Sequence, residues 1–194
     1  MLTGRPGARA GRDPRQRRSV LVPNGLAQDQ FGRETMTAME LSLRAATEEE
    51  IDGWLPRLIA DYTEEIVDAG ELPLDLARSK ARVDVLKARP GRPDTRGQLV
   101  FRLLSGDRPV GWLWLVIPPP SGDPHMAWVN YITVDKAFRG RGYGRQAMLL
   151  AEQEARARGM TAVGLNVRAH NTAARSLYGK LDYQLMAQQM KKTL

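Results

Sequence analysis

The apolar positions of this chain change period several times, and each change marks an element. Around residues 40–45 the pattern alternates, putting Leu41 and Leu43 on one face of a short strand. Thr47 then opens a Thr-Glu-Glu-Glu run in which Thr47 and Glu50 have the spacing of a capping box, each side chain serving a backbone N–H that a first helical turn leaves alone. Behind it Ile51, Trp54, Leu55, Leu58, Ile59, Tyr62 and Ile66 recur at steps of three and four, one apolar face of a helix that Gly70 closes. Pro56 falls inside this run and is expected to kink or split the helix near Leu55, because proline lacks the N–H and crowds the preceding turn. A second helix is expected from Asp75 to about Arg89, with Leu76, Val83 and Leu86 inward.

Residues 90–97 read as a loop from their Pro, Gly and Asp content. Residues 98–104 and 110–117 follow as two strands, joined through Ser105-Gly106-Asp107-Arg108 as a hairpin. The proline-rich residues 118–124 exclude regular structure and deliver the chain to a strand at 128–134, rich in aromatic and β-branched side chains. Residues 145–158 have a helix's composition, and Gly159 stands where a left-handed C-terminal residue is wanted. A further strand is expected at 161–167, and one or two closing strands at 183–191. Strand, two helices, three antiparallel strands, helix, strand, helix and closing strands make an α+β arrangement.

A chain of 194 residues suits one domain with a proper core. With no cysteine there is no disulfide, thiolate metal site or cysteine nucleophile, and two histidines make a histidine-rich metal centre a poor expectation. No apolar run approaches the length of a membrane helix, and a cytoplasmic location is expected. The formal charge of +7 invites a nucleic-acid reading, but residues 1–38 hold a surplus of four positive charges, so the remainder carries only +3. Those first residues, rich in Gly, Arg and Pro and without sustained periodicity, are expected to be disordered. A basic arm, an Arg-rich targeting peptide and an upstream extension without structural role compete as explanations, and the extension is preferred because Met36 and Met39 stand just ahead of the first foldable segment. The domain proper is then 39–194.

The most informative stretch is Arg139-Gly140-Arg141-Gly142-Tyr143-Gly144, set between a strand and a strong helix. A helix start carries unpartnered N–H groups and roughly half a positive charge, and glycines let a ligand approach without meeting a Cβ. That combination is an anion site, most often for phosphate. A P-loop would close with Gly-Lys-Ser/Thr, and a dinucleotide fingerprint would need glycine where Arg145 stands. The stretch instead resembles the pyrophosphate loop of the Gcn5-related N-acetyltransferases (GNAT), Gln/Arg-x-x-Gly-x-Gly/Ala, matched by Arg139, Gly142 and Gly144. Downstream, Asn171-Thr-Ala-Ala174-Arg-Ser-Leu177-Tyr178 resembles the family's second motif, Asn-x-x-Ala-x-x-Leu-Tyr, at the usual distance. The likeness covers about residues 39–194.

The resemblance implies the GNAT fold, a central mixed, mostly antiparallel sheet of about six to seven strands flanked by about four helices. It implies acetyl-CoA as co-substrate, with no metal. Residues 139–145 (Arg139, Gly140, Arg141, Gly142, Tyr143, Gly144 and Arg145) would hold the pyrophosphate, chiefly through main-chain N–H groups. Main-chain groups of Ile132, Thr133 and Val134 on one strand and of Asn166 on the next would pair with the pantetheine arm. Asn171 and Ala174 would flank the arm, Val134 would offer an N–H to the thioester oxygen, and Tyr178 would act as general acid on the departing thiolate. Many family members carry a glutamate early in the central strand, but residues 125–130 here read His-Met-Ala-Trp-Val-Asn, without a carboxylate. His125 has a suitable intrinsic pKa, and Asp61, Glu64, Glu65 and Asp68 could attract a cationic amine, but deprotonation through water is the default expectation. Asp182 replaces the glycine usual at the next helix end, and aspartate tolerates the left-handed conformation required there.

The function implied is acetyl transfer to a primary amine by direct attack, in a monomer or homodimer, with nucleic acid an unlikely partner. A non-catalytic acyl-CoA sensor, or a nucleic-acid-binding protein using the basic tail, is the alternative.

Overall fold

In the computed structural model the described residues are 40–88, 97–119, 123–190 and 192. The expectations for residues 1–38, and most of those for the loop at 90–97, lie outside them. Five strands form one sheet in the order of the chain: β1 (Leu41–Ala45), β2 (Gln98–Ser105), β3 (Arg108–Val116), β4 (Met126–Val134) and β5 (Ala162–Leu165). The first four pair antiparallel and β5 joins β4 in parallel. Four helices cover it: α1 (Glu48–Asp68), α2 (Leu74–Lys87), α3 (Tyr143–Ala157) and α4 (Thr172–Gly179).

β3 shows why both faces need cover. Its residues from Val110 to Val116 are buried throughout, so side chains of both parities enter a core. Trp112 and Trp114 meet α1, where Trp54 stacks on Trp112 at 4.5 Å, while Leu113 and Leu115 meet Ala147, Met148 and Ala151 of α3. The capping box forms as the spacing predicts: Glu50 N–H donates to Thr47 Oγ1 at 3.2 Å and Thr47 N–H to Glu50 Oε2 at 3.0 Å. The hairpin turn, with Gly106 at φ 61°, and the left-handed Gly159 at φ 80° also agree with the sequence. Asp182 takes φ 64°, the left-handed turn expected of it.

Four expectations need correction. α1 is one continuous helix through Pro56, which sits on its exposed face, where the carbonyl that loses its N–H partner can turn to water. α2 turns its small side chains inward: Ala77, Ala81 and Val85 are buried, whereas Leu76, Val83 and Leu86 are exposed. Alanine lets α2 approach Ile66 of α1 closely, and that contact outweighs the bulk of the leucines. Residues 183–190 belong to no strand, and Leu185 and Met186 are exposed, so the described sheet has five strands rather than six or seven. β5 is also shorter than expected, stopping at Leu165.

Candidate active site

The site begins where β4 and β5 part. Their last pair is Val129 with Leu165, and β4 runs on to Val134 without a neighbour on that side. One residue further on, the register against β3 shifts: Trp114 faces Tyr131 but Leu115 faces Val129, leaving Asn130 as an extra residue that bends the strand. Beyond the bulge, Asp135 N–H donates to Val110 O at 2.9 Å. Because hydrogen-bonded and non-hydrogen-bonded pairs alternate in an antiparallel ladder, Thr133 also bonds towards β3, whereas Ile132 and Val134 turn their main-chain groups to the open edge. The expectation for Thr133 is corrected accordingly: its main chain belongs to the ladder. The Val134 carbonyl already accepts from Arg139 Nε at 3.0 Å, which leaves the N–H.

A cavity of about 270 Å³ lies beside this edge, lined by Ile132, Thr133, Val134, Arg139, Gly144, Ala173, Ala174, Leu177 and Tyr178. It falls near the lower end of ligand pockets, ~300–1,000 Å³. That suits a slender arm rather than a bulky group. At its mouth α3 starts on Gly142, in the left-handed conformation at φ 78°, with no side chain capping the first turn. No atom lies within 4 Å of where a Cβ on Gly142 would stand, so the approach to the N–H groups is open. Gly144 is more tightly placed: a Cβ there would stand 3.3 Å from Leu177 Cδ2 on α4, which would have to give by a few tenths of an ångström.

Tyr143 divides between core and loop, keeping only its main chain for the role expected of it. Its ring is buried in the core and its hydroxyl pairs with Ser105 Oγ at 2.9 Å, so only its backbone remains for a ligand. Arg139, Gly140, Arg141 and Arg145 are exposed at the rim, and Gly140 shares the left-handed conformation at φ 76°. Asn171 caps α4, its Oδ1 accepting from Ala174 N–H at 3.1 Å, so its side-chain carbonyl is taken. Asn166 is exposed just past the end of β5. Tyr178 packs against the edge of the α3 core with Tyr183 at 5.8 Å, and burial, followed by the charge of Glu65, pushes its phenol above the usual tyrosine range.

On the opposite face of β4 the sequence missed a contact. Tyr131 hydroxyl donates to Asp61 Oδ2 of α1 at 2.6 Å, tying the helix to the strand just past the point where β5 leaves it. Burial and then that bond push the Tyr131 phenol well up. The loop after β5 is held to the end of α1 by an Arg168–Glu71 ion pair. No sequence signal points to either pair, whose members lie far apart in the chain. His125 lies at the other end of β4, exposed and ~20 Å of strand from Ile132, so it does not reach the cavity.

An open strand edge, an uncapped helix start at its mouth and a half-buried phenol alongside leave a gap in the sheet shaped for a long anionic ligand. The chain belongs to the acetyltransferase (GNAT) family, whose model matches residues 57–183. It is similar to YycN, an uncharacterized N-acetyltransferase of Bacillus subtilis (strain 168), with 31% identity over 160 residues, covering 80% of this chain and 100% of the relative. YdgE, an uncharacterized N-acetyltransferase of the same strain, is 27% identical over 158 residues, covering 80% and 99%. The crystal structure of YycN superposes with a TM-score of 0.74 at 28% identity, over 79% of this chain and 98% of that one. The protein is therefore an acetyltransferase, and the family implies acetyl-CoA as its donor. Among the described residues no helix is long and apolar enough to cross a membrane.

Proposed function

We propose that the protein moves the acetyl group of acetyl-CoA to the nitrogen of a primary amine by direct attack, without a covalent enzyme intermediate, and that residues 39–194 are the catalytic unit. The observation that carries this is the meeting, on one cavity, of the open edge at Val134, the uncapped start of α3 and the Tyr178 phenol. The donor fits these residues: glycines leave the helix N–H groups open to an anion, and the unpaired edge offers main-chain groups at the spacing of a missing strand.

Acetyl-CoA supplies the acyl group already activated as a thioester. The first-turn N–H groups of Tyr143, Gly144 and Arg145 grip its diphosphate, with Arg139 and Arg141 adding charge at the rim. Ile132 and Val134 align the arm, flanked by Ala174, the Nδ2 of Asn171 and the main chain of Asn166. The Val134 N–H polarises the carbonyl, and a donor of this kind is worth about 10²–10³ in turnover. Tyr178 faces the sulfur. A phenol at pKa ~10 giving its proton to a thiolate at ~8.5 is uphill by about 2 kcal/mol, and burial steepens that slope. Tyr178 therefore stays protonated, donates a hydrogen bond, and releases its proton only as the carbon–sulfur bond gives way.

Calorimetry with coenzyme A, and thiol release from acetyl-CoA across a panel of primary amines, test the reading. Tyr178→Phe is expected to lower kcat about 10²-fold and to leave the coenzyme A Kd within about twofold. An equal loss in both, or in neither, removes Tyr178 from the chemistry.

A further inference from the structure

We propose that Glu65 takes the proton from the acceptor's ammonium group, so that α1 supplies the carboxylate that the central strand lacks; the proposal rests on the acetyl-transfer reading above. Glu65 stands seven residues beyond Leu58 and fourteen beyond Ile51, both buried, so it continues the stripe of α1 that faces the sheet. Yet Glu65 is open to solvent. A sheet-facing position is open only where the sheet has ended, and one turn earlier Asp61 already touches Tyr131, past the last β4–β5 pair. Glu65 therefore overlooks the gap from the face opposite α3, the side left for the second substrate.

Its surroundings suit a base. Asp61 lies on its own helix, Tyr131 on β4, Arg168 and His170 on the loop after β5, and Tyr178 on α4. Arg168 is engaged by Glu71 and Asp61 by Tyr131. Among the described residues no hydrogen bond or ion pair claims the Glu65 carboxylate. Although the residue is open to solvent, partial desolvation pushes its pKa up, with Arg168 pulling the other way, so it is a stronger base than a fully solvated glutamate. Its charge also raises the Tyr178 phenol, in keeping with the two groups facing the same gap.

An alkylamine is almost fully protonated at pH 7 and must lose a proton before it can attack. One N–H bond of the ammonium breaks and an O–H bond forms on Glu65. The freed lone pair forms the amide C–N bond as the C–S bond breaks, and the departing sulfur takes the phenol proton of Tyr178. The second N–H proton returns to the phenolate through water, and Glu65 releases its own to solvent. The sum is one amide, one thiol and one proton.

The test uses the full chain with saturating acetyl-CoA and spermidine, cadaverine and an alanine-initiated peptide as acceptors, reading thiol release from pH 5.5 to 9.5. For the best acceptor, Glu65→Gln is expected to lower kcat/KM about 100-fold at pH 7 and to replace the plateau of the parent profile by a rate rising with pH throughout. Coenzyme A affinity and melting temperature should hold, and Glu65→Asp should recover part of the rate. With methoxyamine, already neutral at pH 7, the loss should shrink to a few-fold. Glu48→Gln, at the far end of α1, removes the same charge and should change nothing. A Glu65→Gln rate within threefold of the parent, or an unchanged pH profile, overturns the assignment while leaving acetyl transfer standing. A parent that binds coenzyme A but acetylates none of the amines overturns both.

Discussion

α1 and α3 both start beside the sheet, and their first turns are finished in opposite ways. α1 closes itself: Thr47 and Glu50 take each other's backbone N–H groups, and Arg44 clasps Glu50 at 2.6 Å, holding its carboxyl down to about 2 through that hydrogen bond. α3 has glycine at its cap, no acid in its first turn and no side chain over its N–H groups. Both starts carry the same partial charge and the same unpartnered donors. Evolution of stability alone favours the first arrangement, by about 1 kcal/mol per cap. The second is left open for an anion from outside, which is why a functional site and a structural joint can be told apart here by who supplies the negative charge.

Giving α3 its own anion should break the contrast most sharply. Gly142→Asp places a carboxylate where the diphosphate is to lie, and the coenzyme A Kd should rise at least tenfold by titration calorimetry while the fold holds, since aspartate tolerates the left-handed conformation. Tyr143→Phe sharpens the distinction between backbone and side chain within the same turn. It strands the Ser105 hydroxyl in the core, so chemical denaturation should show a loss of about 1–2 kcal/mol with coenzyme A affinity unchanged. Thr47→Ala should cost about 1 kcal/mol of stability and leave ligand binding alone.

The smallest effect is electrostatic. Glu50 has a depressed folded pKa, so its stabilisation is present above the unfolded value near ~4.5 and is lost as pH falls towards about 2. Urea midpoints between pH 5 and 2 should therefore fall less steeply in Glu50→Gln than in the parent. A parallel pair of curves would remove the ion pair from the account.

What the sequence disclosed was set by the range of the interactions concerned. The capping box, the hairpin turn, Gly159 and the glycine loop are decided within a few residues, and each was legible. The inward face of α2 was not, because bulk alone points to Leu76 and Val83, whereas close approach to Ile66 selects Ala77 and Ala81. Closing strands at 183–191 were read from local pattern, but a strand exists only with a partner, and β5 ends before offering one. The loop's local pattern carries a main-chain role for Tyr143, but the burial of its ring and its bond to Ser105, 38 positions away, have no local signal. Glu65 was named in the sequence only among four carboxylates that could attract a cationic amine, with nothing to single it out. It lies in register with Ile51 and Leu58, and a charge in an apolar stripe is visible in the sequence as a question; only the end of the β4–β5 pairing tells what it overlooks.

Gly144 faces Leu177, the residue before Tyr178, closely enough that an added Cβ would stand 3.3 Å from its Cδ2. The proposed clamp for one end of a coenzyme and the proposed proton donor for its other end thus line one cavity, a single side chain apart. A truncated donor such as acetylpantetheine would forgo its anchoring charge, and its handicap then belongs in catalytic rate as much as in occupancy.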